Sequence, residues 1–203
     1  MEQNKIIYQD IREQTEFMIE VLQKNKQLVR LLHLIESFGL PDWYLASGAI
    51  CQTVWNCFHG FDLNFGINDY DVVYFDADIS YEKEDFYIQK SKEIFKDFDR
   101  EVQLRNQARV HLWFPKKTGI QVPPFTCVEE AIATFPTTST SIGITMVNKD
   151  KIKVVTPRGL YDLLTMTVRA NKVRVSKEVY EKKAADWSSK WPKLTVIPWD
   201  YQR

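Results

Sequence analysis

The sequence predicts an α/β (α+β) chain forming a single domain over residues 1–203, with a pair of helices over 1–38. Three observations carry that expectation. Apolar residues recur at three- and four-residue steps from 8 to 37, the period of an amphipathic helix. The stretch 65–76 is rich in Val, Tyr and Phe after Gly66 and Asn68, the composition of a strand behind a turn. Residues 142–147 and 152–155 flank the polar run Asn148, Lys149, Asp150 and Lys151 as the arms of a hairpin would.

In order, Ile11, Phe17, Met18, Val21, Leu22, Leu28, Leu31, Leu32 and Ile35 mark the apolar stripe of the first helical region. The polar run at 24–27 divides it in two, and Gly39 with Pro41 ends it. A short strand at 43–45 leads into Ser47 and Gly48, which open an apolar helical run ending at Gly60. A polar-aromatic loop then reaches the strand at 65–76. Residues 81–98 read as a second amphipathic helix with Phe86, Ile88, Ile94 and Phe95 inward. Two strands are expected at 102–104 and 109–114, the second from the alternation of Val110, Leu112 and Phe114 against Arg109, His111 and Trp113. A loop spans 118–125, a short helix capped near Thr126 covers 128–134, and a Thr/Ser-rich turn covers 136–141. Pro157 is placed for the first turn of a helix reaching Met166, and from Arg169 the chain is expected to be irregular or helical.

Composition narrows the function classes. Hydrophobic residues make up 44% and aromatics 13%, enough for a packed core. Lys plus Arg number 27, as do Asp plus Glu, so bulk charge supplies no general attraction to phosphate, and any anion must be met by a local patch. The N-terminal residues lack the basic-then-apolar layout of a signal peptide, and no apolar run reaches membrane-spanning length. Cys51, Cys57 and Cys127 are few, odd in number and not in a CxxC spacing, which fits small buried hydrophobes in a reducing, cytoplasmic compartment.

The chemistry concentrates on the 65–76 strand. Strand parity puts Asp69, Asp71, Val73 and Phe75 on one face, with the two aspartates roughly 7 Å apart at their Cα atoms. Oxygen ligands so placed suit Mg²⁺. Upstream, Gly48 at a helix start lets backbone N–H groups approach a phosphate, and the helix dipole favours the anion there. Two divalent ions on such a strand activate an attacking hydroxyl and stabilise a leaving pyrophosphate.

Three runs carry a resemblance: Trp43 to Ile50, Thr53 to Asn56, and Asn68 to Asp76. Together with Asn106 to Phe114 and Pro157 to Leu164, they resemble a bacterial family of nucleotidyltransferase-like proteins in the DNA polymerase beta-like superfamily. The resemblance covers roughly 40–170, the core, and leaves 171–203 as a C-terminal tail. It implies a mixed sheet with helices packed on it. It also implies metal-dependent transfer of a nucleoside monophosphate from a nucleoside triphosphate, with Mg²⁺ or Mn²⁺, to a hydroxyl acceptor that is a small molecule, RNA or protein. Residue by residue, Ser47 and Gly48 match the phosphate-binding turn, and Asp69 and Asp71 match the metal-binding pair. The family turn has Gly followed by Gly or Ser, whereas Gly48 is followed by Ala49. The superfamily also places a third carboxylate on a later strand. Glu101 and Gln103 share a face there by parity: Glu101 is the acidic candidate, and Gln103 would put a neutral amide in the position. The alternative to a transferase is a catalytically impaired nucleotide- or RNA-binding module with the same fold.

Other residues carry two readings each. Asp76 reads as a strand end before Asp78. His111 is a hydrogen-bonded core or cleft histidine, or a functional one. Arg109 meets phosphate or forms a structural ion pair. Cys51, Cys57 and His59 match no structural-zinc spacing. Arg169, Lys172 and Arg174 are a solvated face or a receiver of triphosphate or RNA. Trp187, Trp191 and Trp199 stack on a base or pack the tail.

Overall fold

Two polar residues decide where the first helices begin. Asp10 accepts from the backbone N–H groups of Arg12 and Glu13 at 2.9 Å and starts α1 (Ile11–Lys24). Asn25 accepts from Leu28 N–H at 3.1 Å and starts α2 (Lys26–Phe38), so the polar run expected to divide the helices does so. Gly39 ends α2 in the left-handed conformation, at φ 75°. The structure, a computed structural model, describes residue 6 and residues 10–147 and 151–201. The expected helix start at 8 and the turn residues Asn148, Lys149 and Asp150 lie outside the described residues.

A five-stranded sheet follows in the spatial order β3-β2-β1-β4-β5. Its strands are β1 (Trp43–Ala46), β2 (Asp69–Tyr74), β3 (Glu101–Asn106), β4 (Gly143–Val147) and β5 (Lys151–Val155). The β1–β2, β1–β4 and β4–β5 pairs are antiparallel. Within this sheet only the β2–β3 pair is parallel, so the chain crosses over between them through α4 (Tyr81–Ile94). The sheet is therefore mixed. Helix α3 (Gly48–His59) leaves β1 through Ser47 and ends at Gly60.

Strand parity sorts the sheet into two faces. Leu45, Tyr70, Val72, Tyr74, Leu104 and Ile144 point into the main core with the apolar stripes of α1, α2 and α3. On the other face, Tyr44, Ala46 and Val73 meet Val128 and Ile132 of α6 (Val128–Ile132). Tyr44 ties that helix down: its hydroxyl donates to Glu129 at 2.7 Å and accepts from Lys153 Nζ at 2.7 Å. The two aspartates occupy the same face as Val73, nearer the start of β2.

Four expectations need correction. Residues 109–114 are not a strand: a 3₁₀ turn (Gln107–Arg109) runs into α5 (Val110–Thr118). Asn106 accepts from Ala108 N–H at 3.0 Å to start that turn, and Gly119 closes the helix at φ 76°. Val110 and Phe114 lie four residues apart and pack with Phe125 and Ala131, whereas Leu112 stays 40% exposed. Helix α6 is preceded by Cys127 without a side-chain cap, and Glu130 reaches back to Thr126 N–H at 2.7 Å. Pro157 precedes a turn, and only Tyr161–Leu164 form a helix, α7. The 81–98 helix stops at Ile94.

The last part of the chain is built into the core. Strands β6 (Thr167–Val168) and β7 (Thr195–Val196) pair in parallel, and α8 (Lys177–Lys190) lies between them in sequence. Trp55 packs edgewise against Trp187 and Trp191, with ring centres 5.6 and 5.5 Å away. The Trp191 indole N–H donates to Asn56 Oδ1 at 2.7 Å. Gly66 sits under the same indole at φ 70°, where an added Cβ would lie 2.7 Å from the ring.

Candidate active site

The turn from β1 to α3 is held in an unusual backbone state. Ser47 has φ 59° and ψ −118°, a conformation costly for any residue with a Cβ. It makes no side-chain cap to α3, while its N–H donates to Ile142 O at 3.0 Å. The sheet thus pins the turn, and the hydroxyl is left for another partner. Gly48 follows, and a Cβ there would make ordinary contact with the Gln52 side chain, 3.6 Å from Nε2 and 3.9 Å from Cδ.

Ala46, just before that turn, stands opposite Asp71 in the β1–β2 register. Asp71 and Ser47 both line a cleft of about 610 Å³. Burial first, and then the charge of Asp69, push the Asp71 carboxyl up to about 6, against the pull of Lys183 and Arg105. Two carboxylates are crowded together here. One or two carboxylates completed by substrate phosphates are the usual protein share of a Mg²⁺ site, so the donor set suits a hard divalent ion. Among the described residues, no group of three or more His, Cys, Asp or Glu comes together.

Register places the two candidates for the third position. Glu101 lies opposite Asp69 and Gln103 opposite Asp71. Gln103 donates its amide to Glu101 at 3.0 Å and to Asp69 at 3.4 Å. Glu101 is exposed and shares the Gln103 amide with Asp69; like Asp69, Gly48 and Gln103, it is not among the residues lining the cleft. The residue beside Asp71 is the neutral amide.

The cleft takes its charge from elsewhere. Its lining includes Arg105, Lys117, Arg174 and Lys183, and Asp71 is its one carboxylate. None of the four cations has an ion pair among the described residues. Trp113, Phe114, Phe125 and Phe135 supply an aromatic wall.

A family model described as nucleotidyltransferase matches residues 33–196, a span that includes every element just described from Ser47 to Lys183. The chain belongs to the nucleotidyltransferase family. Its fold is that of the DNA polymerase beta-like superfamily. A solved structure described as revealing a CCA-adding enzyme head domain matches with a TM-score of 0.70 at 23% identity. The match covers 88% of this chain and 95% of the other. No curated protein matches the chain.

In this member of the family several sequence candidates stand away from the cleft. Arg109 pairs with Glu84, both nearly buried, and lies 5.8 Å from the Tyr81 ring. His111 sits on α5 rather than a strand. Asp76 lies two residues past the end of β2: its N–H donates to Asn106 Oδ1 at 3.1 Å and its carbonyl accepts from Asn106 Nδ2 at 2.9 Å. The basic group at 169–174 splits three ways. Arg169 bonds Asp162 at 2.9 Å, Lys172 lies 5.0 Å from the Trp199 ring, and only Arg174 enters the cleft. Cys51 donates to Ser139 O at 2.9 Å and shares no metal-ligating cluster among the described residues. No helix among them is long and apolar enough to cross a membrane.

Sequence reasoning passed over Arg105, Lys117 and Lys183. Arg105 was within reach, because parity on β3 aligns it with Glu101 and Gln103. Lys117 and Lys183 come from helices distant in sequence, and nothing local distinguishes them from solvated lysines.

Proposed function

We propose that the cleft transfers a nucleoside monophosphate from a nucleoside triphosphate to an acceptor hydroxyl and releases pyrophosphate. The observation that carries this reading is the joint lining of one cleft by Asp71, the Ser47 turn and the unpaired cations Arg105 and Lys183. Asp69 and Asp71 would hold Mg²⁺ or Mn²⁺, which would supply positive charge to stabilise the leaving pyrophosphate. The first amides of α3 behind Gly48, with the Ser47 hydroxyl, receive the β- and γ-phosphates. Arg105 and Lys183 balance the remaining phosphate charge. The acceptor oxygen attacks the α-phosphorus, forming the new O–P bond. The bond from that phosphorus to the bridging oxygen breaks, pyrophosphate leaves with the electron pair, and the hydroxyl proton passes to water. Glu101 acts indirectly, by holding Gln103 beside Asp69. Arg109, committed to Glu84, serves the scaffold.

One observation favours a second reading, a nucleotide-binding module without turnover: the neutral Gln103 in register with Asp71. Ligand-induced thermal stabilisation with each of the four triphosphates, with Mg²⁺ or Mn²⁺ and after chelation, tests the site. A shift with at least one triphosphate that vanishes on chelation is expected, and it should be lost in Asp69→Asn/Asp71→Asn while the fold survives. A flat response, or unchanged binding in the double variant, would overturn the assignment.

A further inference from the structure

The cleft has a second charged end. The Arg174 guanidinium lies 4.2 Å from the centre of the Phe125 ring and 5.9 Å from that of Phe114. Lys117 lies 5.9 Å from the Trp113 ring. Neither cation has an anionic partner among the described residues, and burial pulls the Arg174 value below its usual one. Arg105 stands opposite Val73 on the strand that carries Asp71, whereas Arg174 and Lys117 stand against the rings of the aromatic wall, with no ion pair among the described residues.

We infer that the aromatic end seats the acceptor, and that the acceptor is a small molecule with an apolar or aromatic body and an anionic group, phosphate or carboxylate, received by Arg174. This inference rests on the nucleotidyl-transfer reading of the same cleft. A neutral nucleobase placed here would stack on the rings but leave both cations uncompensated, at a desolvation cost that an anion removes. A polycationic acceptor would meet four cations and one carboxylate. The cleft, at about 610 Å³, has the size of a small-molecule site. The guanidinium is also suited chemically. Its face stays on Phe125 while its edge forms two parallel N–H bonds to a carboxylate or phosphate, which an ammonium cannot do.

Calorimetric titration of the full chain with phenyl phosphate, benzoate and benzylamine tests the assignment. Each is run with and without Mg²⁺ and a non-hydrolysable triphosphate analogue. Wild type should bind at least one of the two aryl anions and not benzylamine. Arg174→Gln should weaken that anion at least tenfold with the triphosphate analogue still bound at wild-type affinity, and Arg174→Lys should recover only part of the loss. Should Arg174→Gln not fold, Lys117→Gln provides the same comparison, with a several-fold loss expected. Phosphate and carboxylate are told apart by which of the two anions binds more tightly. Failure of both anions to bind wild type, equal anion affinity in the variants, or loss of the nucleotide analogue together with the anion would overturn the proposal. If wild type binds the anion but not the analogue, the transferase reading fails and the anion seat stands.

Discussion

Gln103 stands in register with Asp71 across the parallel β2–β3 pair, and its amide donates to the neighbouring Asp69 at 3.4 Å. A neutral donor thus sits where a third negative charge would raise the repulsion between two carboxylates already crowded together.

Replacing Gln103 by Glu removes that donor and adds the charge. Without divalent ions, Gln103→Glu should melt below wild type at pH 8, and millimolar Mg²⁺ should restore most of the difference. Its transfer rate should match or exceed that of wild type. Melting curves with and without Mg²⁺, together with pyrophosphate release, check both parts.

Asp71→Asn should separate stability from function. The Asp71 carboxyl lies at about 6 when folded, above its ordinary 3.8. The folded state therefore keeps a proton that the unfolded chain has already released. The favourable contribution of that proton is complete below about pH 4 and is lost as pH rises through about 6. At pH 7.5 the variant should be more stable by about 1–2 kcal/mol, a figure reduced for partial exposure of the site. The gain should disappear near pH 4, and transfer activity should be abolished throughout. Urea unfolding at the two pH values measures it.

Arg109 and Glu84 form a nearly buried pair, and Glu84 also accepts from Asn106 N–H at 3.0 Å. Arg109→Gln leaves that carboxylate short of its cation and should cost about 3 kcal/mol. The folded fraction should bind triphosphate as wild type does. A selective loss of nucleotide affinity at wild-type stability would instead return Arg109 to the binding site.

Gly66 and Trp191 should be energetically coupled. Gly66→Ala brings a Cβ within 2.7 Å of the indole at φ 70°, which should cost about 2–4 kcal/mol. Trp191→Leu empties that space but strands Asn56 Oδ1, the partner of the indole N–H. The double variant should lose less than the sum of the two singles by about 1 kcal/mol or more, measured as a double-mutant cycle.

The residues that were easiest to read are those whose signal is local. Asn25 divides the first helices because one side chain accepts one nearby N–H, and Asp69 and Asp71 share a face because strand parity demands it. The 109–114 segment misled for a definite reason: Val110 and Phe114 satisfy a two-residue and a four-residue period equally. Only the exposure of Leu112 distinguishes the two, and exposure is decided by tertiary packing. The flanking Asn106 and Gly119 were the overlooked signals, a cap before and a left-handed stop behind. Glu101 and Gln103 could not be separated by parity, because both point to the same side. Register with β2 distinguishes them, and register depends on the α4 crossover. Arg174 and Lys183 reach the cleft through the docking of the last part of the chain, which no window of sequence contains.

That docking has a consequence for synthesis. Asp69, Asp71 and the Ser47 turn all belong to the first half of the chain, while Arg174 and Lys183 sit in its last thirty residues. A nascent chain leaving the ribosome therefore exposes its paired carboxylates well before the basic residues that complete their surroundings exist. The aromatic contacts of Trp187 and Trp191 with Trp55 follow later still, and they bring α8 and its lysine into place. The half-made protein holds its acid without its base, and the cleft gains both only after residue 183 has been made.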